Sequence, residues 1–508
     1  MKTAFNTRYP FSTRTSIRII YQSGIRKNLL LKPIIFVLII SLCACKKLVS
    51  IDPPITSTNG INVYNSDATA SAVLIGIYTK MTSGLRGGGL TSLTLFPGLS
   101  ADELILFGGA NSGARQYIPY YQNRLTRSTT GAMDFTYNIY PILYITNAAI
   151  EGISSSTSLT PKVKKQLLGE AKFMRAFCNF YLTNLYGDIP LAITTDYTIN
   201  AVLARSSQQK VYQQIVSDLE DAQALLTDNY IAGNSTSITT ERVRPNKWAA
   251  TALLARTYLF MGDWVNAEKQ STLVISNSVQ YNLDSLNNAF LRNSMETIWS
   301  LQPTLDPTAI PNTEDANLFI LPSTGPTLAM NYPVYLSNNV INSFEKGDQR
   351  KNNWIDSVVV KADNTTSNTY YYAYKYKLSE GNIAVNEYTI VLRLAEQYLI
   401  RSEARAQQSN TSGAADDLNL IRKRAGLSKT TANSKETLLD AILHERQVEL
   451  FTEWGHRWFD LKRTHKIDEV MSIVTPQKGG TWNNNWQLYP FRDLELASDP
   501  NLVQNPGY

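Results

Sequence analysis

The sequence predicts a mostly α-helical chain: a tetratricopeptide-like helical scaffold with long irregular insertions and a few short strands. Three observations lead there. Nine stretches repeat apolar residues at three- and four-residue intervals, the period of a helix with one buried face. Across two of them, Leu254, Ala255, Tyr258, Gly262 and Ala267 fall at the spacing of a tetratricopeptide helix pair. Finally, two long segments, 85–130 and 280–335, interrupt the helical pattern with Gly, Asn, Thr, Pro and aromatic residues.

The N-terminus stands apart. Residues 1–44 contain seven basic residues (Lys2, Arg8, Arg14, Arg18, Arg26, Lys27, Lys32) and no Asp or Glu. Of the 48 basic residues, 41 therefore remain against 42 acidic ones, and the formal +6 belongs to the terminus. The rest of the chain offers no cationic excess for nucleic acid. A short apolar run, Ile34 to Leu42, follows the cationic stretch. It is shorter than the roughly 20 residues of a membrane-spanning helix and has the layout of a secretory signal. Leu42-Cys43-Ala44-Cys45 resembles the lipobox of bacterial lipoproteins, with Cys45 as the acylated residue, and Cys43 fits worse because bulky Leu42 would precede it. The expected division is a signal peptide over 1–44, a lipidated tether over 45–64 and a single domain over 65–508. The remaining cysteine, Cys178, lies in an apolar helical stretch and reads as a buried small hydrophobe.

Helices are predicted, in order, over Ala68–Met81, Met133–Ile150, Lys162–Leu185, Gln208–Leu226, Asn246–Met261, Trp264–Ile275, Ile390–Gln407, Ala414–Arg424 and Lys435–Trp454. Pro161 and Pro245 sit at or just before helix starts, and Gly187 and Gly426 just past helix ends. Short strands are predicted at Thr297–Gln302 and Tyr370–Lys377, the second from its period-two alternation of tyrosines.

The stretch HERQVELFTEWGHRWFDLKR, His444 to Arg463, is dense in chemistry-bearing residues. A zinc-protease helix needs a second His four residues after the first, and that position is Val448. With three His in the chain (His444, His456, His465) and no Cys cluster, a transition-metal site is not expected. Glu445, Glu449 and Glu453 form an i, i+4 row with Arg446 and Arg457 at hand as local partners. Phe451, Trp454, Trp458 and Leu461 make an apolar stripe on the other side. This reads as a packing helix that Gly455 ends or kinks. Asp102-Glu103 is a candidate carboxylate pair for glycoside hydrolysis, but a chain with 42 acids contains such pairs by chance. No serine elbow and no phosphate loop is present, and no cofactor is called for.

Several stretches together resemble the SusD/RagB family of outer-membrane nutrient-binding lipoproteins. They are AKFMRAFCNFYLTNLYGDIPL (171–191), RPNKWAATALLARTYLFMGDW (244–264), GDQR (347–350), VLRLAEQYLIRSEARAQ (391–407), DLNLIRKRAGL (417–427), ERQVELFTEWGHRWFDLKR (445–463) and LYPFRDLELASDPNLVQNPGY (488–508). The resemblance implies four tetratricopeptide-like helix pairs with the ligand site built from the insertions. It implies no catalytic role for the 445–463 helix. It further implies a non-enzymatic surface protein that binds glycans, or in some members peptides, as a lid over a SusC-like TonB-dependent transporter. The family's acidic tether is absent here, since Lys46-Lys47 follows Cys45.

The family's binding insertions correspond roughly to 104–121 and 299–335. The aromatic candidates are Tyr117, Tyr120, Tyr121, Tyr332 and Tyr335, and the polar ones Asn111, Arg115 and Asn331. Trp482 and Trp486 rank lower. An aromatic face buries the C–H face of a sugar while amides and guanidinium groups bond its hydroxyls. The two insertions are expected to meet on one face of the scaffold as a shallow aromatic-lined site. The alternatives are a peptide receptor, a surface glycan hydrolase and a scaffold protein that joins other proteins without a small ligand.

Overall fold

All nine predicted helices are present in the computed structural model, which describes residues 62–82, 92–129, 135–303, 312–363, 365–379 and 384–508. Cys45, the signal stretch and most of the tether lie outside the described residues. The scaffold helices are α1 (Asp67–Thr82), α2 (Ser92–Ser100), α3 (Phe135–Ser155), α4 (Pro161–Tyr186), α5 (Gln208–Leu225), α6 (Lys247–Met261), α7 (Trp264–Ser276), α8 (Leu394–Gln407), α9 (Thr411–Arg424), α10 (Lys435–Glu449), α11 (His456–Arg463) and α12 (Ile467–Gln477). From α3 to α10 each helix packs on the next, the stacking of a tetratricopeptide-like array. The turns are built as the sequence suggests. Gly262 takes the left-handed region after α6, and the Asp263 carboxylate accepts from the Asn266 N–H at 3.2 Å to start α7. Ser207 and Asn246 cap α5 and α6 in the same way.

α4 is the central element: 20 of its 26 residues are buried, so its sequence reads as an apolar run more than as an amphipathic stripe. Cys178 lies on it, free and buried. Phe173 and Phe177 of α4 meet the Trp299 ring edge to face at 4.9 and 5.4 Å. After α4 come the short paired strands β2 (Ile189–Pro190) and β3 (Arg205–Ser206), and Trp299 belongs to β4 (Thr297–Leu301), which pairs antiparallel with β8 (Thr389–Arg393). Here a helix prediction is corrected. Ile390–Arg393 is strand, and α8 begins at Leu394. The β-branched and leucine-rich run has no period to distinguish helix from a fully buried strand.

A second correction concerns 85–130. That insertion contains α2, SLTLFPGLS, with all nine residues buried. A helix buried on every side shows no polar face, so nothing in its sequence marks it off from loop.

The third correction concerns the charged stretch. α10 ends at Glu449, and Gly455, at φ +71° and 2.9 Å from the Leu93 carbonyl if it carried a Cβ, starts α11. Glu453 lies between the helices, so the acidic row is only Glu445 and Glu449. The expected local partners are not used either. Arg457 pairs with Asp102 at 2.8 Å and Arg446 with Asp460 at 2.8 Å. Glu449 is fully buried and meets three guanidinium groups: Arg350 at 2.9 Å, Arg393 at 2.6 Å, and Arg424. Arg393 also bonds Glu296 and Glu453, each at 2.8 Å, and Arg350 bonds Asp348 and Glu445. Five segments of the chain, at 296, 348–350, 393, 424 and 445–453, are thus tied through one buried ionic cluster. Packing is its role, as expected, but the partners are long-range.

Candidate functional site

The two insertions meet in a two-stranded sheet. β1 (Leu104–Leu106) pairs antiparallel with β5 (Val334–Leu336) in the register Leu104↔Leu336, Ile105↔Tyr335, Leu106↔Val334. Period-two alternation sorts the side chains. Leu104, Leu106, Val334 and Leu336 are buried, while Ile105 and Tyr335 on the opposite face are half-buried. The pairing extends beyond the strands. The Phe107 N–H donates to the Pro333 carbonyl at 2.8 Å, and the Ser337 N–H donates to the Glu103 carbonyl at 2.8 Å. Gln116 Nε2 reaches Met330 Sδ at 2.6 Å. Gly113 lets the loops close: a Cβ there would lie 2.7 Å from the Leu328 carbonyl oxygen.

A third segment joins this seam. β6 (Ile355–Lys361) and β7 (Ser367–Ala373) form an antiparallel hairpin, and Tyr370 of β7 stands edge to face with Tyr335 at 5.1 Å and with Phe107 at 5.7 Å. Phe107, Tyr335 and Tyr370 are all half-buried. They make an aromatic ledge in the edge-to-face geometry that ring quadrupoles favour.

Beside the ledge is a cavity of about 210 Å³, lined among others by Ile105, Tyr121, Tyr335, Asn338, Asn339, Gln477 and Lys478. Burial, with the neighbouring Tyr335, pushes the Tyr121 phenol up to about 12. Burial brings Lys478 down to about 7; Asp102 opposes this. The Lys478 ammonium donates to the carbonyls of Leu99 at 2.7 Å, Ser100 at 3.2 Å, and Ala101, at the end of α2. Burial works upward on Asp102, but the Arg457 guanidinium holds its carboxyl below the ordinary range. Glu103 turns inward and is 2% exposed; burial and then Asp102 push it up to about 8. The Asp102-Glu103 pair thus holds one carboxylate in an ion pair and one buried acid, and neither is presented to a ligand as a reacting group.

The predicted site residues divide into two sets. Tyr117 and Tyr120 are core. They are 0% and 3% exposed; Tyr120 stacks on Phe96 at 4.1 Å and 11°, and Tyr117 meets Phe96 edge to face at 5.8 Å. Neither offers a face to a ligand, which corrects their selection. They fail because the turn at Tyr117 and the short helix Ile118–Tyr121 turn all their tyrosines inward, a placement composition does not carry. Tyr121 is buried too but lines the cavity. Asn111, Arg115 and Asn331 are exposed. Tyr332 is half-buried with φ +56°, and its carbonyl accepts from the Thr327 N–H at 3.0 Å. Tyr335 sits on the seam itself. Trp482 and Trp486 are held elsewhere, by Asp468 at 2.7 Å and the Gly507 carbonyl at 3.2 Å. Sequence reasoning missed Phe107, Tyr370, Asn338, Asn339 and Gln477. Tyr370 carried a signal, the alternating tyrosines of its strand, but nothing in the sequence joined that hairpin to the seam.

Two family models match the chain: one described as starch-binding associating with outer membrane, over residues 118–259, and the SusD family, over 327–508. The chain belongs to the SusD family. A SusD-like protein of Formosa agariphila is 26% identical over 517 aligned residues, covering 93% of this chain and 98% of the relative. A second SusD-like protein, of Bacteroides ovatus, is 24% identical over 74% of this chain and 71% of its own length. Among solved structures, a SusD superfamily protein of Bacteroides thetaiotaomicron superposes with a TM-score of 0.70 at 24% identity, covering 87% of this chain and all of the other. A laminarin-binding SusD-like protein superposes with a TM-score of 0.70 at 22% identity over 86% of this chain and 99% of the other. The SusD fold, helical and tetratricopeptide-like, is therefore the fold of this chain.

Proposed function

We propose that this SusD family member is a cell-surface lipoprotein that binds glycan oligomers at the aromatic seam and delivers them to a SusC-like TonB-dependent outer-membrane transporter. In this reading it performs no catalysis. Residues 1–44 are its signal peptide, Cys45 carries the lipid, 45–64 form the tether, and 65–508 are the single ligand-binding domain. The observation that carries the reading is the β1–β5 pairing, which turns two separate insertions into one ledge of half-buried rings. Support comes also from the family description, which names starch and the outer membrane, and from the laminarin-binding relative.

A ligand held by a few stacking contacts on such a ledge binds with roughly micromolar to millimolar affinity, about −8 to −4 kcal/mol. Calorimetry against laminari- and malto-oligosaccharides and a peptide panel tests this. Tyr335→Ala and Phe107→Ala are each expected to weaken oligosaccharide binding about tenfold, roughly 1.4 kcal/mol, with little change in Tm because both rings are half-buried. Peptide binding without glycan binding would move the chain to the peptide-receptor reading, and release of shorter glycans would move it to the hydrolases. Cys45→Ala is expected to yield a protein that no longer fractionates with the outer membrane, since lipid chains contribute about 0.8 kcal/mol per buried methylene. An unchanged lipid mass shift in that variant would remove Cys45 as the acylated residue.

A further inference from the structure

The cavity beside the ledge has an unusual division of its polar groups. Its charged members are fully engaged with protein. Both Asp102 oxygens accept from Arg457, Oδ1 from Nε and Oδ2 from Nη2, each at 2.8 Å. The Lys478 ammonium is spent on three backbone carbonyls. The Ser337 hydroxyl donates to the Asp102 carbonyl and accepts from the Val340 N–H. In contrast, the side-chain amides of Asn338, Asn339 and Gln477 make no hydrogen bond with another described residue, and all three are exposed at the rim. The walls are the rings of Tyr121 and Tyr335 and the aliphatic chains of Leu104, Ile105, Leu336 and Val474.

From this arrangement we infer that the cavity is a subsite for one neutral sugar ring, and that it selects against uronic acids, sulfated sugars and amino sugars. The inference rests on the glycan reading above and deepens it. Size sets the first limit. At about 210 Å³ the cavity is below the roughly 300–1,000 Å³ of pockets that enclose drug-sized ligands, so it takes one ring and not an oligomer. Chemistry sets the second. A pyranose has a C–H face that Tyr121, Tyr335 and the aliphatic wall can cover, and an edge of hydroxyls that both give and take hydrogen bonds. An amide also both gives and takes. Three idle amides at the rim match that edge. A carboxylate, a sulfate or an ammonium group needs charge-assisted partners when it leaves water. The cavity has none to give, because its only charged groups are already saturated.

The test uses saturation-transfer NMR of the intact domain with methyl glycosides of glucose, galactose and mannose, and with glucuronate, galacturonate and glucosamine. At least one neutral hexoside is expected to bind at millimolar concentration, and the charged sugars are expected to give less than a tenth of its signal. Gln477→Leu with Asn339→Leu, both at exposed positions, is expected to abolish the hexoside signal while Tm stays unchanged. Equal signals from a charged sugar, a hexoside signal that survives the double variant, or no hexoside signal at all would overturn the inference. The failure is separable from that of the parent reading. Oligosaccharide binding by calorimetry without any hexoside effect removes the subsite and keeps the receptor, whereas absence of all oligosaccharide binding removes the receptor.

Discussion

The stretch 445–463 and the seam between residues 104 and 336 make opposite use of their residues. The first has the densest chemistry in the chain and presents almost none of it. Glu445, Arg446 and Glu449 are 1%, 1% and 0% exposed, and the partners of Glu449 come from as far away as Arg350 and Arg393. The seam has Gly, Asn and Tyr in no recognisable motif, yet keeps rings and amides half in water. The difference teaches where charge is placed. A buried ion needs several hydrogen-bonded partners to offset its desolvation, so a run rich in both signs and in tryptophan is a run that expects burial. A binding surface needs groups left unsatisfied by the fold, and such groups leave no pairing pattern in the sequence.

The comparison breaks most visibly at Glu449. Glu449→Ala leaves Arg350, Arg393 and Arg424 facing an empty site, and removal of one partner from a buried pair costs about 3–5 kcal/mol. Urea denaturation is expected to show a loss of that size, with oligosaccharide affinity of the folded fraction intact. Burial works against the Glu449 charge, but the three guanidinium groups hold its carboxyl well below the ordinary range. Its stabilisation is therefore present above about pH 4.5, the unfolded value, and is lost as pH falls towards the folded one. The wild type is expected to lose stability on acidification, and the variant to lose less. A variant of full stability that has lost only binding would put this cluster on the functional side of the comparison.

Tyr120→Ala gives a smaller effect of the same kind. Its ring stacks on Phe96 at 4.1 Å and meets Tyr489 edge to face at 5.5 Å, and truncation leaves a cavity worth about 3 kcal/mol. Thermal denaturation is expected to register it, and calorimetry on the folded protein is expected to find binding within a factor of two of wild type. Tyr335→Ala should do the reverse, losing affinity and keeping stability. By composition Tyr120 and Tyr335 are indistinguishable; their neighbours in space make one a brick and the other a platform.

The sequence was informative wherever one face of an element meets water. α5, α7 and α9 alternate buried and exposed positions, and their predicted limits fall within a few residues of the observed Gln208–Leu225, Trp264–Ser276 and Thr411–Arg424. Its two failures fall in short segments where every residue is buried. Ile390–Arg393 and Ser92–Ser100 lack a polar face, so strand was read as helix in the first and helix as loop in the second. For the site, the two insertions were legible as interruptions, and Tyr121 and Tyr335 do line the cavity. Which tyrosines border the cavity was not legible, because Tyr117, Tyr120 and Tyr121 lie within about one helical turn, all are buried, and of the three Tyr121 lines the cavity. Phe107, Asn338 and Gln477 become neighbours of the site only through long-range pairing of 104–106 with 334–336 and through the approach of α12.

The smallest effect concerns the acid that separates the two regions. Glu103 lies next to Asp102 at the base of the seam, and its Oε1 accepts from the Thr452 N–H of the charged stretch at 3.3 Å. Burial, then the Asp102 charge, raises it from 4.5 to about 8. Between these values the folded protein keeps a proton that the unfolded chain releases, so stability falls as pH rises from about 4.5 to 8 and the loss is complete above that. Asp315, raised to about 7 by burial and Glu314, adds to the fall in the lower part of the window. Lys478 has the opposite sign. Its folded value of about 7 lies below the ordinary 10.5, so stability rises with pH between the two, and its rise offsets Glu103 between about 7 and 8. Glu103→Gln keeps the shape and removes the titration. Urea midpoints measured at pH 5, 6, 7 and 8 are expected to fall less steeply for the variant than for wild type throughout the window from about 4.5 to 8, since Lys478 titrates in both proteins and cancels from the difference. Parallel profiles would mean that Glu103 is already ionised in the fold, and that the boundary between the ionic core and the neutral seam lies elsewhere.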